Sequence, residues 1–160
     1  MACLIAATTM AVSMGSMNVS ALTWTTSVVD SVTVKSASTT SSLAGSTQSA
    51  SLSYVSSNMR HTTGSQSAPV WSVEGVNVST MSRRATAHVY LYNRGTLATS
   101  CSVYDYGDIS PNSTVYASTS STYSNLPKYY NLEYYVSICG GTSQYAPVVQ
   151  KITLTEQLTK

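Results

Sequence analysis

Apolar and polar residues alternate along much of this chain, most clearly between Ala85 and Tyr92. Small and branched apolar residues fill one set of alternate positions, namely Ala85, Ala87, Val89 and Leu91. Polar and aromatic residues fill the other set, namely Thr86, His88, Tyr90 and Tyr92. Because successive side chains of a strand point to opposite faces, this run predicts a strand with one buried face.

Shorter alternating runs recur along the chain, and helical periodicity is hard to find. These runs contain, in chain order, Val32, Ala50, Leu132 and Val148. Turn-forming residues such as glycine, proline and asparagine separate many of the runs from one another. Threonine, valine and tyrosine are frequent in these runs, and such side chains pack well on a pleated sheet. We therefore predict an all-β fold, a single antiparallel β-sandwich of seven to nine strands that is Ig-like or jelly-roll-like.

Two stretches break the alternation and are predicted to interrupt the strands. Glu74 and Gly75 separate the runs Pro69–Val73 and Val76–Val78, which predicts two short strands there. Tyr104–Asn112 is predicted to be a loop, because glycine, proline and asparagine lie within it.

The first 21 residues differ from the rest and predict a signal peptide. Ala2–Val12 is small and apolar, and Val19-Ser20-Ala21 places small residues where a signal peptidase needs them. Cleavage after Ala21 makes residues 22–160 the single domain of a secreted protein. No lysine or arginine precedes Lys35, which is unusual for a signal peptide, so an apolar first strand is the alternative.

Cleavage at that point leaves two cysteines, Cys101 and Cys139. An even number of cysteines in an exported chain predicts one disulfide bond between them. Cys139 has the opposite parity to the apolar residues of its own strand. The bond therefore requires Cys139 to lie beyond the strand end or behind a β-bulge, and two buried free thiols are the alternative.

The chain carries few charges, with 9% charged residues and a net charge of +2. Its eight scattered basic residues do not form the stripe that tracks phosphates, so we expect no nucleic-acid partner. The few titratable groups follow no catalytic motif, which favours a protein that is not an enzyme. A small hydrolase with a dispersed Ser–His–Asp triad is a third hypothesis, and His88 is its best candidate base.

Tyrosine is the most unusual feature of the composition, with 12 tyrosines and no phenylalanine. Some tyrosines, Tyr134 among them, are expected to fill the core in place of phenylalanine. Others are expected to form a recognition surface for an extracellular protein or a glycan, because tyrosine offers rigid amphipathic contact area. The candidates for this surface are Tyr90, Tyr92, Tyr104, Tyr106, Tyr129, Tyr130 and Tyr135.

Oxygen-bearing side chains cluster just after residue 104. Asp105, Asp108 and Asn112 are candidate Ca²⁺ ligands, because Ca²⁺ prefers carboxylate and carbonyl oxygens in a flexible loop. Turns rich in aspartate and asparagine are also common without a metal, and no other cofactor is expected. Asn77 and Asn112 each begin an Asn-X-Ser/Thr triplet, the acceptor pattern for N-glycosylation.

Residues 36–49 are rich in serine and threonine. We interpret them as a flexible linker or a surface hairpin near Gly45. The alternative is a membrane-active toxin or bacteriocin that inserts residues 36–57 as a β-hairpin, because uncharged alternating legs can face lipid on one side and water on the other.

These observations favour a secreted, non-enzymatic β-sandwich that acts by surface contact, in binding, adhesion or an extracellular structure. Serine and threonine make up about one third of the chain. Few lysines or glutamates are left to protect strand edges from pairing with other chains. Self-assembly into a homo-oligomer is therefore also expected.

Overall fold

A computed structural model describes residues 22–40, 46–62, 70–93, 95–98, 103–119 and 129–159. The predicted signal peptide, residues 1–21, lies outside them. The described residues form strands and turns without a helix. This described part contains eleven strands: β1 (Thr25–Val29), β2 (Val32–Thr39), β3 (Ser46–Ser51), β4 (Val55–Thr62), β5 (Val70–Asn77), β6 (Arg83–Asn93), β7 (Thr96–Leu97), β8 (Val103–Ile109), β9 (Thr114–Ser118), β10 (Tyr129–Cys139) and β11 (Val148–Thr159).

The strands form two sheets that pack together, as the prediction of a sandwich requires. The large sheet has the order β1-β2-β11-β10-β6, and both β7 and β8 pair with the free side of β6. The small sheet has the order β3-β4-β5-β9. Two predictions were wrong in detail. There are more strands than seven to nine, and β2 runs parallel to β11, so the sandwich is not purely antiparallel.

The core lies between the sheets and contains the apolar face predicted for β6. Ala85, Ala87, Val89 and Leu91 are all buried. The alternating apolar residues of β10 and β11 join them, and the small sheet supplies Met59, Trp71, Val73 and Val115. The alternation seen in the sequence therefore identifies the inner face of the three longest strands.

Strands β2 and β3 correct the interpretation of residues 36–57. β2 pairs with β1 and β11 in the large sheet, whereas β3 pairs with β4 in the small sheet. The two legs of the predicted hairpin therefore do not pair with each other. Residues 41–45, which join β2 to β3 in the sequence, lie outside the described part.

The stretch Tyr104–Asn112 is mostly strand, which corrects the predicted loop. β8 pairs with β6 in continuous register from Val103 opposite Val89 to Ile109 opposite Arg83. Only the turn after it, with Asn112 at a φ of 60°, has the irregular backbone that its composition predicted. A long partner strand thus overrides the turn propensity of Gly107.

Gly75 does not interrupt β5, although its position predicted a break. The two sheets approach closely at this point, and a Cβ at Gly75 would overlap Cγ1 of Val136 on β10. The same Cβ would lie 3.3 Å from Cγ1 of Val115 on β9. Glycine is therefore needed here for space between the sheets, and its neighbours keep the ladder intact on both sides.

Asn77 ends β5 and joins three parts of the fold. Its buried amide nitrogen donates hydrogen bonds to the carbonyls of Met81 (2.8 Å) and Ile109 (3.1 Å). Its amide oxygen accepts from the backbone N–H of Ser79 (3.1 Å) and from the Ser79 hydroxyl (2.7 Å). The Asn77-Val78-Ser79 triplet therefore serves the fold, since the side chain is enclosed and its donors and acceptor are engaged.

The core also holds one carboxyl group. Glu156 on β11 is fully buried, and the hydroxyl of Tyr134 donates a 3.4 Å hydrogen bond to its Oε2. Burial, and then the nearby Glu156 carboxylate, raise the pKa of Tyr134 well above its usual value. Tyr134 thus fills the core, as the absence of phenylalanine predicted, and it gives a buried carboxyl a partner.

Candidate binding face of the large sheet

Four aromatic rings form a continuous patch on the outer face of the large sheet, which we call the aromatic face. It consists of His88, Tyr90 and Tyr92 on β6 and of Tyr135 on the neighbouring β10. The register places Tyr135 directly opposite His88. These residues alternate with the buried residues of the same strands, so their side chains point away from the core.

The rings of the aromatic face contact one another closely. His88 and Tyr135 are stacked, with centroids 4.1 Å apart and planes 7° from parallel. The ring of Tyr90 lies 4.2 Å from His88, and Tyr92 meets Tyr90 edge to face at 6.3 Å. On the other side of β10, Nζ of Lys151 lies 5.2 Å from the centroid of Tyr135.

This stacking determines what the patch offers to a partner. His88 on β6 and Lys151 on β11 flank Tyr135 from opposite sides, so both faces of its ring are in contact. The ring of Tyr135 therefore presents mainly its edge and hydroxyl outwards. Such a surface favours hydrogen bonds and edge contacts over the face-on stacking of a sugar ring.

Burial, and secondly a neighbouring positive charge, keep the imidazole of His88 neutral at neutral pH. Burial, and secondly the positive charge of Lys151, lower the pKa of His88 to about 4. Oε1 of Glu133 lies 3.8 Å from Nε2 of His88, too far for a hydrogen bond. A charged His88–Glu133 pair is therefore expected only in acid.

The lowered pKa of His88 makes stability depend on pH. The unfolded chain binds this proton near pH 6.5 and the folded chain near pH 4, so acid favours unfolding across that window. Since the imidazole is partly open to solvent, we expect the free energy of unfolding to fall by about 1–2 kcal/mol from this group. Urea unfolding between pH 7 and 4.5 measures the loss. The variant His88→Phe, which keeps an aromatic ring but cannot titrate, should lose correspondingly less. An equal loss in both proteins would contradict this assignment.

The predicted tyrosines divide between the aromatic face and the core. Tyr90, Tyr92 and Tyr135 lie together as described above, and Tyr106 is exposed at the position opposite Thr86. Tyr130 was assigned wrongly to the surface, since it is buried and meets Trp71 edge to face at 6.2 Å.

Tyr104 and Tyr129 are placed only by their backbone. Tyr104 pairs with His88 and Tyr129 pairs with Thr159, while their side chains lie outside the described part. Sequence reasoning missed two neighbours of the aromatic face, Glu133 and Lys151. The alternation that located Leu132 and Ile152 in the core also places these two charges on the outer face, so the signal was present.

The candidate Ca²⁺ ligands do not converge. Asp105 and Asp108 are three residues apart on β8, so their side chains leave opposite faces of the strand. Oδ2 of Asp105 accepts the backbone N–H of Tyr116 (3.3 Å), and Oδ1 of Asp108 accepts Nε of Arg84 (3.1 Å). Asn112 lies in the following turn. Within the described ranges, no three His, Cys, Asp or Glu side chains lie close enough to hold a metal ion.

The predicted disulfide is not seen, and Cys139 is a free thiol. A β-bulge does occur between Ile138 and Cys139, as the parity of Cys139 required. However, β8 and β10 flank β6 on opposite sides, which separates them by about 10 Å. Cys101, two residues before β8, lies outside the described residues, and a disulfide joins Cα atoms less than about 7 Å apart.

The free thiol of Cys139 should react slowly. Burial raises its pKa, so the reactive thiolate is scarce at neutral pH. We expect iodoacetamide to label Cys139 in the unreduced native protein, slowly at pH 7 and faster as the pH rises. Peptide mass mapping measures the labelled fraction. A peptide that links Cys139 to Cys101 would contradict the structure.

Within the described residues, the polar depressions of the surface and His88 lie at different places. Two surface depressions are lined by polar side chains, one by Thr47, Asn58, Ser72, Glu74 and Tyr116 and the other by Ser38, Thr39, Thr40, Thr155 and Gln157. Neither lining includes a histidine. His88 lies instead among the tyrosines of the aromatic face, and the side chain of His61 is outside the described part.

The fold and the site together define an all-β, two-sheet protein with an aromatic cluster on its outer face. No protein-family model matches the chain, and no curated protein matches it. In the part of the chain that the structure describes, no helix is both long and apolar enough to cross a membrane.

Proposed function

We propose that this chain is a secreted, non-enzymatic β-sandwich that binds an extracellular partner through the aromatic face. The observation that carries the proposal is the contiguous row of His88, Tyr90, Tyr92 and Tyr135 on the side of the sheet turned away from the core. Clustered tyrosines are enriched in protein interfaces.

The stacking pattern favours a protein over a glycan as the partner. Tyr135 has both ring faces in contact, and His88 is stacked on one of them, so these rings are poorly placed to lie flat on a sugar. Phenol hydroxyls together with Glu133 and Lys151 offer hydrogen-bond donors and acceptors to a polypeptide surface instead. Truncation of a tyrosine in the centre of a protein interface often costs about 1 kcal/mol or more of binding free energy.

We further propose that the sandwich is Ig-like rather than jelly-roll-like. The large sheet contains the order β11-β10-β6-β8. These are the last strand, the one before it, a middle strand and the next long strand after β6, with the two-residue β7 between β6 and β8. This is the G-F-C-C′ order of a variable-type Ig sheet. The small sheet departs from that fold, because β3, β4 and β5 are paired in sequence.

The binding proposal is tested on cell surfaces with the double variant Tyr90→Ser/Tyr92→Ser. We expect labelled wild-type protein to bind intact cells taken from the environment in which the protein occurs. The variant should bind these cells with a dissociation constant at least tenfold higher. This corresponds to about 1.4 kcal/mol, within the range of two truncated interface tyrosines. Protease treatment of the cells should abolish binding, whereas periodate oxidation of their glycans should not.

A matched control is the variant Tyr116→Ser/Tyr145→Ser. Both tyrosines are exposed but lie away from the aromatic face. Binding that is lost in this control but kept in Tyr90→Ser/Tyr92→Ser would overturn the assignment of the face. Binding that is lost on periodate treatment alone would indicate a glycan.

The membrane-active alternative makes a different prediction, namely dye release from liposomes. The described legs of residues 36–57 belong to two different sheets, so their insertion as a hairpin would require the sandwich to open. We therefore expect no dye release at concentrations that saturate cell binding.

A further inference from the structure

Strand β1 is the outermost strand of the large sheet, and its sequence is Thr-Thr-Ser-Val-Val. It carries no charge, no proline and no bulge, and every residue in it is exposed. Val28 and Val29 are 70% and 55% exposed. Among the described residues no strand pairs with its outer side, and such an edge is a template for further pairing.

The other sheet edges within the described ranges each have a charged group in contact with them or belong to a very short strand. Oδ2 of Asp105 accepts the N–H of Tyr116 on β9, and Nζ of Lys35 donates to the carbonyl of Ser51 on β3 (3.4 Å). β8 carries Asp105 and Asp108, and β7 is only two residues long. Charged groups are a usual means of blocking edge pairing, and β1 carries none.

The turn between β1 and β2 determines which backbone groups point outwards. Asp30 and Ser31 form a two-residue hairpin loop, and both have positive φ (49° and 67°) as a type I′ turn requires. In such a hairpin the flanking pair, Val29 and Val32, is hydrogen-bonded, and hydrogen-bonded pairs then alternate. The N–H and C=O groups of Thr26 and Val28 therefore face the open edge.

We propose that two copies of this chain associate through their β1 strands, in antiparallel register centred on Ser27. In this register Thr26 of each copy lies opposite Val28 of the other, and the two pairs make four hydrogen bonds with all outward groups satisfied. Ser27 then faces Ser27 across a two-fold axis, as a closed isologous dimer requires. No charged side chain of β1 opposes this arrangement.

The dimer would extend the large sheet across both copies. Because the two-fold axis is perpendicular to the sheet, the outer faces of both copies lie on the same side. The two aromatic faces would then point in one direction and could engage one surface together, which strengthens binding without new contacts. The dimer itself does not depend on the proposed function, since it rests on β1 alone.

Cysteine cross-linking tests the register. Ser27 and its counterpart form a pair without hydrogen bonds, so their Cα atoms should lie about 4.5 Å apart, within disulfide range. Val29 projects from the same face but should be separated from its own counterpart by about 13 Å. We expect Ser27→Cys to form a covalent dimer under mild oxidation at least tenfold faster than Val29→Cys, as measured on non-reducing gels. The native cysteines are the same in both variants. Equal rates would overturn the register.

Charge substitutions test the association in solution. A single strand pair forms a small and therefore weak interface, so the measurement needs a high protein concentration. At about 100 µM, sedimentation of the full chain should show a dimer. The variant Thr26→Lys/Val28→Lys should be monomeric, with a dissociation constant raised at least tenfold. Thr26→Lys/Val28→Glu should remain dimeric, because opposite charges then face each other in the proposed register. Thermal unfolding verifies that both variants fold. A wild-type monomer at this concentration, as expected if residues 1–21 cover β1, would overturn the proposal.

Discussion

The variant Asn77→Asp is expected to lose about 4 kcal/mol of unfolding free energy at pH 7, more than any other substitution proposed for this protein. The change replaces an amide nitrogen by a carboxylate oxygen that faces two carbonyl oxygens, those of Met81 and Ile109. Two hydrogen bonds are lost, the carbonyl of Ile109 loses its buried amide donor, and a negative charge is placed in a buried site. Urea unfolding measures the change.

The pH dependence of this variant distinguishes the cost of the buried negative charge from the cost of the lost hydrogen bonds. In the folded protein the new carboxyl should have a pKa above its unfolded value of about 3.9, because burial disfavours the charged form. The contribution of this carboxyl to stability is then fully present below that value and is lost as the pH rises through the folded pKa. We therefore expect the deficit of Asn77→Asp to be clearly smaller at pH 4 than at pH 7.

Asn58→Asp is the matched control. Asn58 is exposed on β4, and its Oδ1 accepts the hydroxyl of Ser49 at 2.7 Å, which a carboxylate can also do. The same chemical change should therefore alter stability by less than about 1 kcal/mol. If both variants lose similar amounts of stability, Asn77 does not have the role assigned to it.

The variant Gly75→Ala is expected to lose about 1–3 kcal/mol, because its Cβ needs the space that Val136 occupies. Both residues lie where the two sheets approach closely, so neither strand can yield without disturbing its ladder. Gly107→Ala provides the control. A Cβ there meets nothing within 4 Å, and the loss of glycine flexibility should leave stability unchanged or slightly higher.

A double-mutant cycle tests the stated cause. Val136→Ala alone should destabilise the protein by leaving a cavity, but it also frees the space next to Gly75. The combination of Gly75→Ala with Val136→Ala should therefore cost at least about 1 kcal/mol less than the sum of the two single variants. Additive losses would show that the clash with Val136 is not the reason for glycine at this position.

Alternation along single strands was enough to predict the core and one side of the candidate site. The inward row of β6 from Ala85 to Leu91 is buried as predicted, and its outward row carries His88, Tyr90 and Tyr92. Such a prediction needs only the two-residue period of a strand, which depends on the geometry of neighbouring residues.

Predictions that depended on which strands lie next to each other were less accurate. Tyr130 and Tyr135 lie in one strand and both were predicted for the binding surface, yet Tyr130 packs on Trp71 in the core, whereas Tyr135 lies on the outer face against His88. Gly75 and Gly107 resemble breaks in the sequence, yet both lie within paired strands. In each case the deciding contact comes from a residue distant in the sequence.

The chain's residue pattern alone thus determines that it forms strands, which face of each long strand is apolar, and that charge is scarce. Tertiary structure decides that β2 runs parallel to β11, that β3 enters the other sheet, and that His88 comes to lie against Tyr135. The reason is physical. Side-chain alternation is set locally by the backbone, whereas strand partners are selected by hydrogen bonds and packing between segments far apart along the chain.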